Sequence, residues 1–315
     1  MFSSKKLVLL SLVFTAFSFT TFAQDDLFAE LEKNAPKKND YSFATFKSTR
    51  LINGSSIECL GEGVLDFRIS HRFGQLSQGM ENFFGMDNAV TKLSLDYGIN
   101  RWLMIGIGHS AFNKEDDGSL KIKFLRQRNN GGMPITLTYF ANASIETMPA
   151  PSLPVATQTW LFSNRLFYTH QVLIARKFND KLSLQLMPTV VHYNLVDSTK
   201  FSNNTIAMGV GGRIKLTKRA AITAEYYYRL TNTGLLVYGS PTYNAFSLGF
   251  EVETGGHVFQ LMISNSQGLT ERTFIGQTTD SWPKNQLHFG FNISRVFTIV
   301  KPKGYVENKD EKKAW

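Results

Sequence analysis

The sequence predicts an all-β protein, a closed antiparallel up-and-down transmembrane β-barrel of about 12 strands. Three observations predict it. Apolar and polar residues alternate with a period of two from Val64 to Ile299. The connections between these segments are short and long by turns. An export signal stands ahead of them.

The export signal has three parts. Lys5 and Lys6 supply the positive end, Leu7 to Phe22 carries no charge, and Thr21-Phe22-Ala23 sets small residues three and one before Gln24. The apolar run falls short of the roughly 20 residues a spanning helix needs. Cleavage after Ala23 leaves about 290 of the 315 residues, enough for one large all-β domain. No Cys stands at the cut, so the chain lacks a lipoprotein signal. The rest of the sequence has no run of 18 apolar residues, so any crossing of a bilayer uses strands. A mean hydropathy of −0.16 suits such a barrel, whose apolar residues are hidden among polar ones.

The strands follow in order. Val64–Phe73 sets Leu65, Phe67 and Ile69 against Asp66, Arg68 and Arg72. Only an extended chain separates these sets onto two faces. Ala89–Ile99 sets Leu93 and Leu95 against Lys92 and Asp96, and Trp102–Phe112 sets Ile105 and Ile107 against Gly106 and Gly108. Gly118–Gln127 sets Leu120, Ile122 and Phe124 against Lys121 and Lys123, and Met133–Ile145 follows with Leu137 and Tyr139 against Thr136 and Thr138. The sixth strand lies within Asn164–Phe178, where alternation is poorer and His170 shares the apolar face. Lys181–Tyr193 and Thr205–Leu216 alternate cleanly, the latter with Arg213 and Lys215 on the polar side. Ala220–Leu230 carries Glu225 and Arg229, and Tyr243–Glu253 carries Glu251 and Glu253. His257–Ser264 and Gln286–Ile299 complete twelve. Fourteen is the alternative, if residues 45–58 contribute strands.

Connections after the even strands are short, such as Asn100-Arg101 and Asn179-Asp180. Those after the odd strands are mostly longer, the longest being 74–88, 146–163, 231–242 and 265–285. Tight periplasmic turns and long outer loops produce this sorting, and a soluble sandwich has no cause for it. Aromatic residues gather near strand ends (Phe73, Tyr97, Trp102, Phe178, Tyr193, Tyr243 and Phe297), where interfacial girdles sit. The expected organisation is a signal peptide at 1–23, a periplasmic arm or plug segment at 24–60, a barrel at 61–299 and a flexible tail at 300–315. The location it implies is the bacterial outer membrane.

Five strings carry a resemblance. They are Phe46 to Gly54 (FKSTRLING), Val64 to Gly74 (VLDFRISHRFG), Leu95 to Ile99 (LDYGI), Gly106 to Ser110 (GIGHS) and Leu120 to Gln127 (LKIKFLRQ). Together they resemble a family of unknown function, exported β-barrel proteins of Bacteroidota-type bacteria, over residues 45–300. The resemblance implies a fold and a location. It transfers no functional residues.

The charges of the polar faces are the candidate site. Asp66, Arg68, Arg72, Lys92, Asp96, Lys121, Lys123, Arg213, Lys215, Glu225, Arg229, Glu251 and Glu253 are expected to face the lumen. One reading is a narrow passive channel whose transverse field selects small polar or anionic solutes. The other is a closed barrel, filled by cross-lumen salt bridges or by the segment at 24–60, acting as a structural or interaction module. On the channel reading, Arg68→Ala and Lys121→Ala lose conductance. The formal charge of +9 falls to +7 when Lys5 and Lys6 are removed. In an exported chain that balance suits lipid headgroups or a pore lining rather than nucleic acid. Expected partners are outer-membrane lipid, a small polar solute and a periplasmic protein at residues 24–44.

Chemistry-bearing motifs are few. His109-Ser110 invites a third reading, a barrel lipid hydrolase, which ranks behind the other two because neighbours on a strand face opposite sides and no Asn or Asp pattern supports the pair. The six histidines have no metal-ligand spacing with a carboxylate, and no cofactor is expected. Cys59 is the single cysteine and forms no internal disulfide. The sequence therefore points away from an enzyme.

Overall fold

The computed structural model describes residues 41–129, 132–149, 161–196, 201–233, 236–237 and 240–301. The expected signal peptide, the arm up to Asp40 and the tail from 302 lie outside the described residues.

Fourteen strands are described. They are β1 (Val64–Gln75), β2 (Val90–Asn100), β3 (Leu103–Ser110), β4 (Glu115–Leu125), β5 (Thr136–Glu146), β6 (Leu166–Lys177) and β7 (Leu182–Tyr193). β8 (Asn204–Lys215), β9 (Ala220–Arg229), β10 (Leu236–Val237), β11 (Ser240–Pro241), β12 (Ala245–Thr254), β13 (His257–Ser264) and β14 (His288–Thr298) follow. β10 and β11 form a two-residue ribbon within one loop. The other twelve close a single barrel in which each strand pairs antiparallel with its sequence neighbour. Closure joins β1 to β14, from Val64 opposite Thr298 to Arg72 opposite Gly290. It leaves no unpaired edge, which long amphipathic strands would otherwise expose.

The count of twelve holds, and residues 41–60 add no strand to the wall. Loop parity holds with two exceptions. The connection after β4, expected as a short turn at Arg128 to Gly132, runs over 126–135 and is broad although it lies on the tight-turn side. Residues 101–102, 178–181, 216–219 and 255–256 connect tightly at one rim, and the other broad connections fall at the opposite one. The connection after β3, at 111–114, is short although it lies on the long-loop side.

β4 begins at Glu115 rather than at Gly118. Glu115-Asp116-Asp117 looks like a loop by charge, yet it continues the strand. Glu115 and Asp117 are buried, while Asp116 faces out and accepts from His109. β6 alternates poorly in sequence because its buried face is itself partly apolar, with Phe167, Leu173 and Ala175 facing in. In β7, Pro188 has no N–H to give. The β6–β7 ladder skips from Gln171/Thr189 to Ile174/Leu186 without losing register.

The two faces of the wall differ as a bilayer requires. Leu93, Ile107, Leu186, Val210, Ile222 and Phe250 are among the large apolar side chains exposed on the outside. The inner face carries most of the charges of the strands, and most of these are buried. Charge on the outer face would cost a few kcal/mol near the midplane. No helix of the described residues is long and apolar enough to cross a membrane.

Candidate functional site in the barrel lumen

The interior is occupied by the chain itself. Residues 41–60 enter the barrel as a series of bends, and we call them the plug. Phe46, Leu51, Ile52 and Ile57 of the plug are buried. At its centre Arg50-Leu51-Ile52-Asn53-Gly54-Ser55 turns back on itself. The turn is closed by the Leu51 N–H donating to the Gly54 carbonyl at 2.8 Å and by an Arg50–Ser55 bridge. Asn and Gly are the residues that suit such a turn.

The wall satisfies the backbone of this turn from several sides. The N–H groups of Ile52, Asn53 and Gly54 all donate to the Glu225 carboxylate, at 3.2, 2.8 and 3.1 Å. Gln260 donates to the Leu51 carbonyl at 2.8 Å and Asn292 to the Ile52 carbonyl at 2.9 Å. Gln185 donates to the Ser55 carbonyl at 2.7 Å and accepts from the Ile57 N–H at 2.9 Å. Lys121 donates to the carbonyls of Thr49, Ser56 and Glu58 at 2.9, 2.9 and 3.1 Å. Buried backbone groups demand partners, and here side chains of the barrel supply them in place of a ladder. Gly54 lies so close to Tyr227 that a Cβ there would stand 2.0 Å from the phenol oxygen.

A second segment enters from the long-loop rim. Residues 265–285 were expected to project outward as an outer loop. Instead Leu269 to Gly276, including the short helix α1 (Glu271–Gly276), is buried. The cause is chemical complementarity with inward-facing groups. Arg272 pairs with Glu115 at 3.3 Å and Glu146 at 3.2 Å, and its guanidinium lies 3.9 Å over the Phe167 ring. Phe274 packs edge-on against Tyr227, and Glu271 pairs with Arg50 of the plug. Phe274, Ile275, Leu51 and Ile57 thereby share one apolar cluster with Phe140, Met187 and Tyr227 of the wall.

The charges singled out in the sequence lie as follows. Arg68 donates to Asp66 at 2.7 Å and to Thr49 of the plug at 2.6 Å. Arg72 donates to Asn53 at 2.7 Å and Asn292 at 3.0 Å. Lys92 pairs with Asp117, and Asp96 accepts from Thr49 at 3.2 Å. Lys123 pairs with Glu58 at 3.5 Å, Arg213 with Glu251 at 2.8 Å, and Glu253 with Lys47 at 2.9 Å. Arg229 donates to Thr242 at 2.7 Å, and Lys215 is half-buried near the tight-turn rim. The sequence reading missed Arg50, Glu115, Asp117, Glu271 and Arg272. The Glu115-Asp116-Asp117 triplet was legible as a strand start, had its alternate members been given inward partners. The other three sit in segments without periodicity.

His109 is exposed on the outer face and Ser110 is buried inside, so the barrel wall separates them. Among the described residues no group of three or more His, Cys, Asp or Glu side chains is placed to hold a metal ion.

Comparison with solved structures finds barrels of low sequence identity. The chain is similar to a KdgM porin (8% identity, 74% of this chain and 99% of that one covered, TM-score 0.44). It is similar to an outer membrane channel from Pseudomonas putida F1 (10%, 76% and 98%, 0.47). It is also similar to the outer membrane phospholipase A of Escherichia coli (12%, 73% and 89%, 0.41). Likeness at this level carries no argument about activity. A comparison with curated proteins returns no match. Residues 46–297, from the plug through the last barrel strand, match the model of a membrane-bound β-barrel domain, DUF5777, and the chain belongs to that family.

Proposed function

We propose that this protein is an outer-membrane barrel that admits small polar or anionic solutes and is closed in its resting state by its own plug and the 265–287 loop. The observation that carries this reading is the polar character of the contact between plug and wall. Glu225, Gln185, Lys121, Gln260 and Asn292 hold the plug by hydrogen bonds to its backbone. A lumen filled only for stability is better filled with apolar side chains, since buried ionic groups seldom outperform a hydrophobic packing of equal volume. Water can replace the plug at these polar groups, while the apolar contacts of Leu51 and Ile57 with Phe140, Met187 and Tyr227 favour the closed state at rest.

On this reading Lys121 and Glu225 act first as latches. The sign expected for Lys121 then reverses: its removal loosens the plug and raises passage. Liposome-swelling rates test this with the full chain and its Glu225→Ala and Lys121→Met variants. Faster swelling of the variants in small charged or polar solutes supports a plugged channel. Equal, near-zero swelling of three folded proteins overturns it.

The second reading, a closed barrel that acts as a structural or interaction module, has its own support. The ion pairs Arg50–Glu271, Arg213–Glu251 and Arg272–Glu115 tie plug, wall and loop together within the barrel. A protein partner bound at residues 24–44 belongs to this reading.

A further inference from the structure

Between the plug and strands β1 and β2 lies a cavity of about 10 Å³, room for one water-sized occupant. Its charged lining consists of Arg50, Arg68, Arg72 and Lys92, and no carboxylate lines it. We propose that this cavity binds a single small monovalent anion of the chloride type.

Charge balance is the first argument. Arg50 is paired with Glu271, Arg68 with Asp66, and Lys92 with Asp117. Arg72 has no carboxylate within ion-pair distance among the described residues. Its terminal nitrogens donate to the carbonyls of His71 and Phe291 and to the side-chain amides of Asn53 and Asn292. Glu225 acts on Arg72 only at longer range, and its oxygens accept from three backbone N–H groups of the plug. Four cations thus line the cavity against three acids at ion-pair distance, with Asp96 and Glu225 acting on Arg50 and Arg72 from farther off.

Unpartnered donors are the second argument. Arg68 and Arg72 are 3% and 1% exposed, yet the Nε of both and one Nη of Arg68 have no acceptor. Buried donors without acceptors are costly, more so when they are charged. A water would accept from them but bring no negative charge to a lining whose charged groups are all cations. A monatomic anion answers both needs. Chloride is slightly larger than water, and the flexible ends of three arginines and a lysine can give the difference. Phosphate and carboxylate ligands are too large for this space. The site stands whether or not solutes pass through the barrel.

Crystals of the full chain grown in bromide, measured at the bromine absorption edge, test the site. An anomalous peak touching Arg68 and Arg72 is expected. In solution, the Tm of the detergent-solubilised protein should rise by about 2–4 °C per tenfold increase in chloride above its Kd, with gluconate holding ionic strength constant. Arg72→Met should remove both effects. Should that variant fail to fold, the wild-type titration still decides, with Arg72→Lys as the second variant. Only water at the site, or a bromide peak with a Tm indifferent to chloride (an adventitious ion only), overturns the proposal.

Discussion

Glu225→Ala removes one carboxylate and strands three backbone donors, those of Ile52, Asn53 and Gly54. Each buried donor left without an acceptor costs about 1–3 kcal/mol. Water entering the space vacated by the side chain recovers part of that, so the net loss is about 3 kcal/mol. The twelve-strand ladder does not depend on these bonds. The loss therefore falls on local opening of the plug rather than on unfolding of the wall. An opening constant shifted by that amount speeds hydrogen exchange of the three amides by about 100-fold. The assay is hydrogen–deuterium exchange of the full chain in detergent, read on peptides covering 50–57 and, as control, on β7 and β8. Exchange that rises at the turn and stays constant in the strands is expected. Unchanged exchange at Ile52–Gly54 would refute the assignment of Glu225 as the latch.

Three further outcomes follow from the same geometry. Gly54→Ala sets a methyl group against the Tyr227 phenol. It should raise protease cleavage within 45–57, and Tyr227→Phe, which removes the obstructing oxygen, should restore resistance in the double variant. Lys121→Met deletes three charge-assisted bonds to plug carbonyls and should weaken plug closure by about 1.5–3 kcal/mol, read by the same exchange experiment. Burial pushes the Cys59 thiol up, against the opposing pull of Lys121 and Lys123. A raised pKa leaves less thiolate at any given pH, so the pH–rate curve for alkylation of Cys59 should be shifted to higher pH than that of a free thiol. Glu225→Ala should increase its rate, and a Cys59 as reactive as a model thiol in the wild type would count against a buried plug.

The wall was legible in the sequence because a single physical demand wrote it. Each strand must present one face to lipid and one to the interior, and Leu65, Phe67 and Ile69 against Asp66, Arg68 and Arg72 state that demand plainly. Where the inner face also became apolar, as at Phe167, Leu173 and Ala175, the alternation faded although the strand did not. What fills the lumen was hidden for a different reason. The turn from Arg50 to Ser55 and the helix Glu271–Gly276 are too short for a period, and they are stabilised by side chains far away in sequence, such as Glu225 and Glu115. The family string around Leu51-Ile52-Asn53-Gly54 was visible as a string. Its seat against Tyr227, Gln185 and Asn292 needed the fold. The polar residues of the wall were likewise visible as a set, but their division into ion pairs and plug contacts depends on which of them the closed barrel brings together.

Single-channel conductance of the purified, refolded full chain in a planar bilayer tests the central claim, that the chain closes its own barrel. The account predicts silence, or rare brief openings, from wild type that remains heat-modifiable on gels. It predicts frequent steps from Glu225→Ala under the same conditions. Steady large steps from the wild type would contradict a plugged resting state.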